Sequence, residues 1–182
     1  MRLFQILIIL SCVIACDIEK STIPYQPYHE AINSDDLNKE NEVIQKLYLD
    51  YESLPETQAE KDQNLIINYL TEHKISATKL PSGVYYKLYQ NGDGLLYKPN
   101  DPFSARYTGY FLDGEVFDSN LTAMQPLNMK VGEMINGWDE AMTHVSPGSK
   151  VSIFIPSHLA YEEVGVKKVI PPNSVLIFDI QL

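Results

Sequence analysis

Residue types able to do covalent chemistry are sparse in this chain. Both cysteines, Cys12 and Cys16, fall in the first 16 residues. The remainder therefore holds no thiol nucleophile, disulfide framework or cysteine-based metal site. The histidines (His29, His73, His144 and His158) are scattered, without the paired spacing a zinc site uses. No glycine-rich phosphate loop is present. The second half is instead punctuated by Tyr107, Phe117, Trp138, Tyr161 and Phe178, with Asp118 beside Phe117. By type alone, Trp138, Phe117 and Phe178 are what the core of any small domain requires, and Asp118-Ser119 reads as a turn cap.

The elements that must position these residues are legible from periodicity. After Leu80 the hydrophobic pattern shifts from a period of 3.6 toward two. Strands are predicted over Val84 to Gln90, Ala105 to Phe111, Glu115 to Asp118, Lys150 to Ile155 and Val175 to Gln181, with Asp113-Gly114 as a hairpin signal. Ile135 to Thr143 is long enough only for a short helix. The implied class is α+β, an antiparallel sheet with one short helix. Upstream, Ser34-Asp35-Asp36 marks a helix start, Ile44, Leu47, Tyr48 and Tyr51 form one apolar stripe, and Pro55 closes the segment. Thr57 to Glu60 has the capping-box pattern, and Leu65, Ile66, Tyr69 and Leu70 form a second stripe ending near Lys74. These two short N-terminal helices have three candidate partners: the main domain, each other, or a second copy in a homodimer.

With 14 Lys+Arg against 24 Asp+Glu, the formal charge is −10, so the basic footprint of a nucleic-acid binder is missing. Leu3 to Ala15 is uncharged but too short to cross a membrane as a helix, which takes about 20 residues. It fits the apolar core of a secretory signal. Val13-Ile14-Ala15-Cys16 resembles the lipobox of bacterial lipoproteins, which implies cleavage before Cys16 and lipidation of its thiol. The expected organisation is a signal peptide at 1–15, a lipidated spacer at 16–34, a helical extension at 35–79 and a main domain at 80–182. The expected location is the cell envelope, anchored in the inner or outer membrane, with the domain facing the periplasm or cell surface.

From about Leu80 to Leu182 the chain resembles the FKBP family of peptidyl-prolyl cis-trans isomerases. The resemblance rests on Arg106-Tyr107-Thr108-Gly109, on Leu112 to Ser119, and on Met134-Ile135-Asn136-Gly137-Trp138-Asp139. It continues through Pro147-Gly148-Ser149-Lys150, Ile155 to Tyr161, Val169 to Ser174, and Leu176 to Leu182, in the family's order. It implies a twisted antiparallel sheet wrapped around one short helix, with an apolar pocket between them. Carried over by position, Tyr107, Phe117, Asp118, Ile135, Trp138, Tyr161 and Phe178 are the catalytic set, and Leu127, Met134, Val169 and Ile170 contact the substrate. In this reading Trp138 is the floor, Phe117 and Phe178 are walls, and the Tyr161 hydroxyl and Ile135 N–H are donors. The implied partners are proline-containing polypeptide segments, and no cofactor is implied. Two departures stand out: Glu162-Glu163 follows Tyr161 where many relatives have glycine, and Leu127 stands where many have an aromatic. They keep a second reading open, a membrane-tethered binding module or chaperone with little turnover.

The physical demand on such a site is modest. An X–Pro bond rotates slowly because amide resonance must be lost, at a barrier of about 18–20 kcal/mol. Catalysis requires that the twisted amide be favoured over both planar forms. The twisted form separates less charge, so an apolar enclosure disfavours it less than water does. Each tenfold gain needs about 1.4 kcal/mol, the scale of a few ring contacts and one or two hydrogen bonds.

Overall fold

The computed structural model describes residue 42 and residues 44–182. The expected signal segment, Cys16, the spacer and the helix start at Ser34 lie outside the described residues. Residues 44–49 are helical. Of their predicted stripe, Leu47 is buried while Tyr48 and Tyr51 are exposed. The chain after these turns is tied to the next helix, since Asn64 accepts from the Glu52 N–H (2.9 Å) and donates to the Glu52 carbonyl (2.7 Å).

Helix α1 (Gln58–Glu72) begins at the predicted capping box. The Thr57 hydroxyl accepts from the Glu60 N–H at 3.2 Å, and the Glu60 carboxylate accepts from the Thr57 N–H at 2.8 Å, so two otherwise orphaned amides are satisfied reciprocally. Its buried face comprises Asp62, Asn64, Ile66, Ile67, Tyr69 and Leu70. Leu65, expected in the stripe, is 45 % exposed, and Ile67 takes its place at 0 %.

The remaining elements are β1 (Thr78–Lys79), β2 (Tyr85–Gln90), β3 (Pro102–Tyr110), β4 (Val116–Ser119), β5 (Leu127–Lys130), α2 (Asn136–Met142), β6 (Lys150–Ile155), a 3₁₀ turn (Ser157–Leu159) and β7 (Leu176–Gln181). All strand pairs are antiparallel. The order is β1-β2-β6-β7-β3-β4, with β5 also paired to β3. Strand β5 was not expected from the sequence, because Leu-Asn-Met-Lys lacks the β-branched and aromatic residues that mark a strand. It forms against the first half of β3, Ala105 facing Leu127 and Pro102 facing Lys130.

Alternation along the strands divides the interior into two cores. On β7, Leu176, Phe178 and Ile180 join Trp138, Ala141 and Met142 of α2, with Phe103 and Ala105 of β3. Ile177 instead joins Ile66, Ile67, Tyr69 and Leu70 of α1, with Tyr85, Tyr110 and Phe154. The sheet thus carries α2 on one face and α1 on the other. Among the partners open to the second stripe, the structure places it on the sheet.

Because Ile66 is fully buried in this second core, Ile66→Ala is expected to lower the unfolding free energy by about 2–5 kcal/mol. Leu65→Ala, on the exposed side, should change it by less than about 0.5 kcal/mol. Urea unfolding followed by circular dichroism measures both, and equal losses would place α1 off the sheet.

Candidate active site

Helix α2 delivers Trp138 to the sheet face with no exposed surface. Its indole meets the rings of Tyr107 (centroids 5.6 Å apart, 85°) and Phe178 (5.4 Å, 81°) edge to face. Phe117 stands on Phe178 in the same way (5.5 Å, 89°). Edge-to-face contact sets the positive rim of one ring against the negative face of another. The four rings come from β3, β4, α2 and β7, elements joined by the sheet's register: Gly109 of β3 faces both Asp118 of β4 and Phe178 of β7. Together with Asp118, Glu133, Met134, Ile135 and Tyr161 they line a cavity of roughly 290 Å³.

The rim of the cavity is polar. The Tyr107 hydroxyl donates to Asp118 Oδ2 at 2.6 Å. Burial first, then this carboxylate, pushes the Tyr107 phenol well above its ordinary pKa. Tyr161 is 37 % exposed, and its phenol is also raised, by burial and then by the charge of Asp118. Both hydroxyls are therefore protonated at neutral pH and able to donate. Among the described residues, the Tyr161 hydroxyl has no hydrogen-bond partner. Ile135 caps α2 in extended backbone (φ −63°, ψ 149°), its carbonyl accepting from the Trp138 N–H (2.9 Å) and the Asp139 N–H (3.2 Å). Its own N–H meets no acceptor among the described residues. At the floor, the Trp138 indole Nε1 is buried without a partner among the described residues.

Several residues that hold this arrangement were missed in the sequence. Asn120 sits in the gap between β4 and β5 and bridges two positions of β3, accepting from the Tyr107 N–H (2.7 Å) and donating to the Ala105 carbonyl (2.9 Å). The Arg106 guanidinium gathers the same loop through the Asn120 (2.8 Å) and Ala123 (2.6 Å) carbonyls. Asp139, at the start of α2, accepts from the Gly132 N–H (2.8 Å) and ties down the segment that leads to Ile135. Gly109 has a steric role: a Cβ there would lie 2.7 Å from Phe117 Cζ and 2.8 Å from Phe178 Cε1, inside both walls. Gly137, next to Trp138, has no room for a side chain because a Cβ there would collide with Cγ2, Cδ1 and Cγ1 of Ile155 on β6. Both glycines lay inside the family-like motifs, which is the one signal that pointed to them.

Three expected contact residues stand outside the cavity lining. Ile170 is buried in the first core, its N–H and carbonyl both paired with Val166. Val169, at the outer turn of that bridge, is 47 % exposed. Leu127 is held by its β5 register against Ala105 and is half-buried. A shallower recess of roughly 610 Å³ adjoins through Glu133, walled by Tyr97, Phe103 and Met129. No group of three or more His, Cys, Asp or Glu is placed to hold a metal ion among the described residues. The arrangement is an apolar aromatic socket with donors at its rim, of a shape to hold a ring and an adjoining amide.

A family model described as FKBP-type peptidyl-prolyl cis-trans isomerase matches residues 96–182. The chain is 38 % identical over 111 residues to the peptidyl-prolyl cis-trans isomerase Mip of Coxiella burnetii, covering 61 % of this chain and 48 % of that protein. It is 41 % identical over 103 residues to the outer membrane protein MIP of Legionella longbeachae, covering 57 % and 44 %. Among solved structures, AtFKBP13 superposes with a TM-score of 0.55 at 33 % identity, covering 58 % of this chain and 94 % of that one. The chain spans about half the length of the curated relatives it matches. With almost the whole of one solved FKBP chain matched at this identity, and the aromatic socket built from the matching segments, the chain belongs to the FKBP-type peptidyl-prolyl cis-trans isomerase family.

Proposed function

We propose that the chain catalyses cis-trans isomerisation of X–Pro bonds in polypeptide segments. The observation that carries this reading is the four-ring socket closed by Trp138 at its base, with unpartnered donors at Tyr161 and Ile135. A cavity of about 290 Å³ is at the small end of ligand sites and suits one pyrrolidine ring with its amide. Trp138, Phe117 and Phe178 act as the socket for the ring. Water is displaced from the amide, so the planar, charge-separated form loses more solvation than the twisted form. Tyr161 and Ile135 donate to carbonyls of the bound segment and hold it while the C–N bond turns. Asp118 fixes the Tyr107 ring as a wall through the 2.6 Å hydrogen bond. A second reading, a binding module or chaperone that holds proline-containing chains without turnover, has its support in Glu162 and Glu163, exposed directly after Tyr161.

The envelope is the proposed site of action. Support comes from the uncharged run Leu3 to Ala15 ending in Ala15-Cys16 and from the outer-membrane name of the Legionella relative. In this reading 1–15 is removed, Cys16 carries the lipid, and 16–34 is a spacer of at most ~60 Å before the helical extension at 35–79 and the isomerase domain at 80–182. Among the described residues, no helix is long and apolar enough to cross a membrane; the proposed anchor is the lipid on Cys16.

Tyr161→Phe removes one neutral donor, worth about 0.5–1.5 kcal/mol, so kcat/KM on a proline tetrapeptide should fall roughly threefold to tenfold with the circular dichroism spectrum unchanged. Isomerase activity absent from the unaltered chain, with peptide binding retained, would decide for the binding module. Cys16→Ser is expected to move the protein expressed in a bacterial host from the membrane pellet to the soluble fraction; an unaltered protein found soluble would refute lipid anchoring. Glu162 holds a left-handed backbone (φ 53°) at a cost glycine does not bear. Glu162→Gly should therefore raise the unfolding free energy by about 1 kcal/mol in urea titration, whereas a loss would mean that the glutamate side chain stabilises the turn.

A further inference from the structure

We infer that Asp62, on the N-terminal helix α1, is a positioning residue for the Tyr161 hydroxyl. The inference deepens the isomerase reading and rests on it. Asp62 has no exposed surface. Its Oδ2 accepts from both the backbone N–H (2.8 Å) and the hydroxyl (2.5 Å) of Ser157, 95 residues away in sequence. Its Oδ1 accepts from Gln58 Nε2 at 2.7 Å. Among the described residues no Lys, Arg or His pairs with this carboxylate, so these donors supply its stabilisation.

Ser157 is the hub of the turn that presents Tyr161. Its N–H and hydroxyl point to α1, while its carbonyl accepts from the Ala160 N–H (3.0 Å) and the Glu162 N–H (2.9 Å). The peptide unit that follows Tyr161 and the one that precedes Ala160 are thus held by one carbonyl, whose residue is fastened by one buried carboxylate. Beyond Tyr161 the turn is closed by the Gly165 N–H on the Tyr161 carbonyl (2.9 Å) and the Asn173 N–H on the Glu162 carbonyl (2.8 Å). The turn follows the end of β6 directly, outside the strand ladder. Without Asp62 its first residue has two buried donors and no acceptor, which favours a shifted turn. A hydroxyl that must meet a peptide carbonyl tolerates little displacement, since a shift near 1 Å can cost as much as 10²-fold in rate.

The test compares the unaltered chain with Asp62→Asn, Ser157→Ala, Tyr161→Phe and the double variant Asp62→Asn/Tyr161→Phe. Thr57→Ala serves as a stability control, because it removes the α1 cap without touching Ser157. Isomerase kcat/KM is measured alongside hydrogen exchange of the Ala160 and Glu162 amides. Asp62→Asn is expected to lower kcat/KM about twofold to tenfold, by no more than Tyr161→Phe does, and to speed exchange of both amides, with Ser157→Ala intermediate and Thr57→Ala unchanged in kcat/KM. The double variant should be no slower than Tyr161→Phe alone, because the positioned group is already gone. A decrease in the double variant equal to the product of the two single decreases would overturn the inference, as would a Thr57→Ala decrease matching that of Asp62→Asn. If the unaltered chain has no isomerase activity, the isomerase reading fails on its own. Exchange then decides the positioning claim, and unchanged protection of Ala160 and Glu162 in Asp62→Asn defeats it.

Discussion

Burial of the Trp138 ring between a seven-residue helix and the sheet is the contact on which the other features depend. The indole is shared between the core and the cavity. One side stacks on Phe103 (6.2 Å, 29°), deep in the first core, and its edges meet Tyr107 and Phe178, which face the opening. A cavity beside a core normally costs stability, because its lining atoms lack partners on one side. Here the cost is limited by rings that keep edge-to-face neighbours whether or not the cavity is filled. It is limited further by Gly137 and Gly109, which let α2 close on β6 and let the two phenylalanine walls close over β3. The socket is therefore preformed by packing, and a bound ring need not reorganise it.

The same strands serve two masters by alternation. On β7, Phe178 faces the socket while its neighbours Ile177 and Asp179 face α1. Asp179 is buried and accepts from the Ser152 hydroxyl and, at 3.4 Å, from the Tyr110 hydroxyl. Tyr110 in turn bonds to Tyr69 of α1, whose phenol is pushed up chiefly by burial. A buried carboxylate is tolerated only when hydrogen-bonded, and this network fixes the side-to-side register between α1 and the sheet in a way that apolar contacts alone do not. The N-terminal helix is consequently a layer of the fold, although it precedes the segment that matches the family model.

What the sequence made legible followed from strong local periodicity. The capping box at Thr57, the Asp113-Gly114 turn, the short helix around Trp138 and the last two strands are all in place. Strand β5 was not legible, because its pairing is dictated by β3 and not by its own residues. Residues lining the socket could be named only through the resemblance, since Trp138 and Phe178 have the composition of core and are in fact buried like core. The supporting shell was the least visible part. Asn120 imitates a missing strand residue and Arg106 collects loop carbonyls. Neither role has a signature in residue type or spacing, because each depends on where a distant backbone happens to pass.

The electrostatics divide along the same line. The aromatic walls of the socket are uncharged, and the raised phenols of Tyr107 and Tyr161 stay neutral near the opening. Asp118 is the acid beside them, and its charge is engaged by the Tyr107 hydroxyl at 2.6 Å. The other acids near the opening, Glu133, Glu162 and Glu163, are exposed to solvent. A charge inside would favour one polar orientation of a bound amide and so stabilise a planar form along with the twisted one, which lowers KM without raising kcat. In the proposed isomerase reading, aromatic walls with donors at the rim would avoid that, orienting the peptide while leaving the rotating bond in a medium that does not reward its resonance.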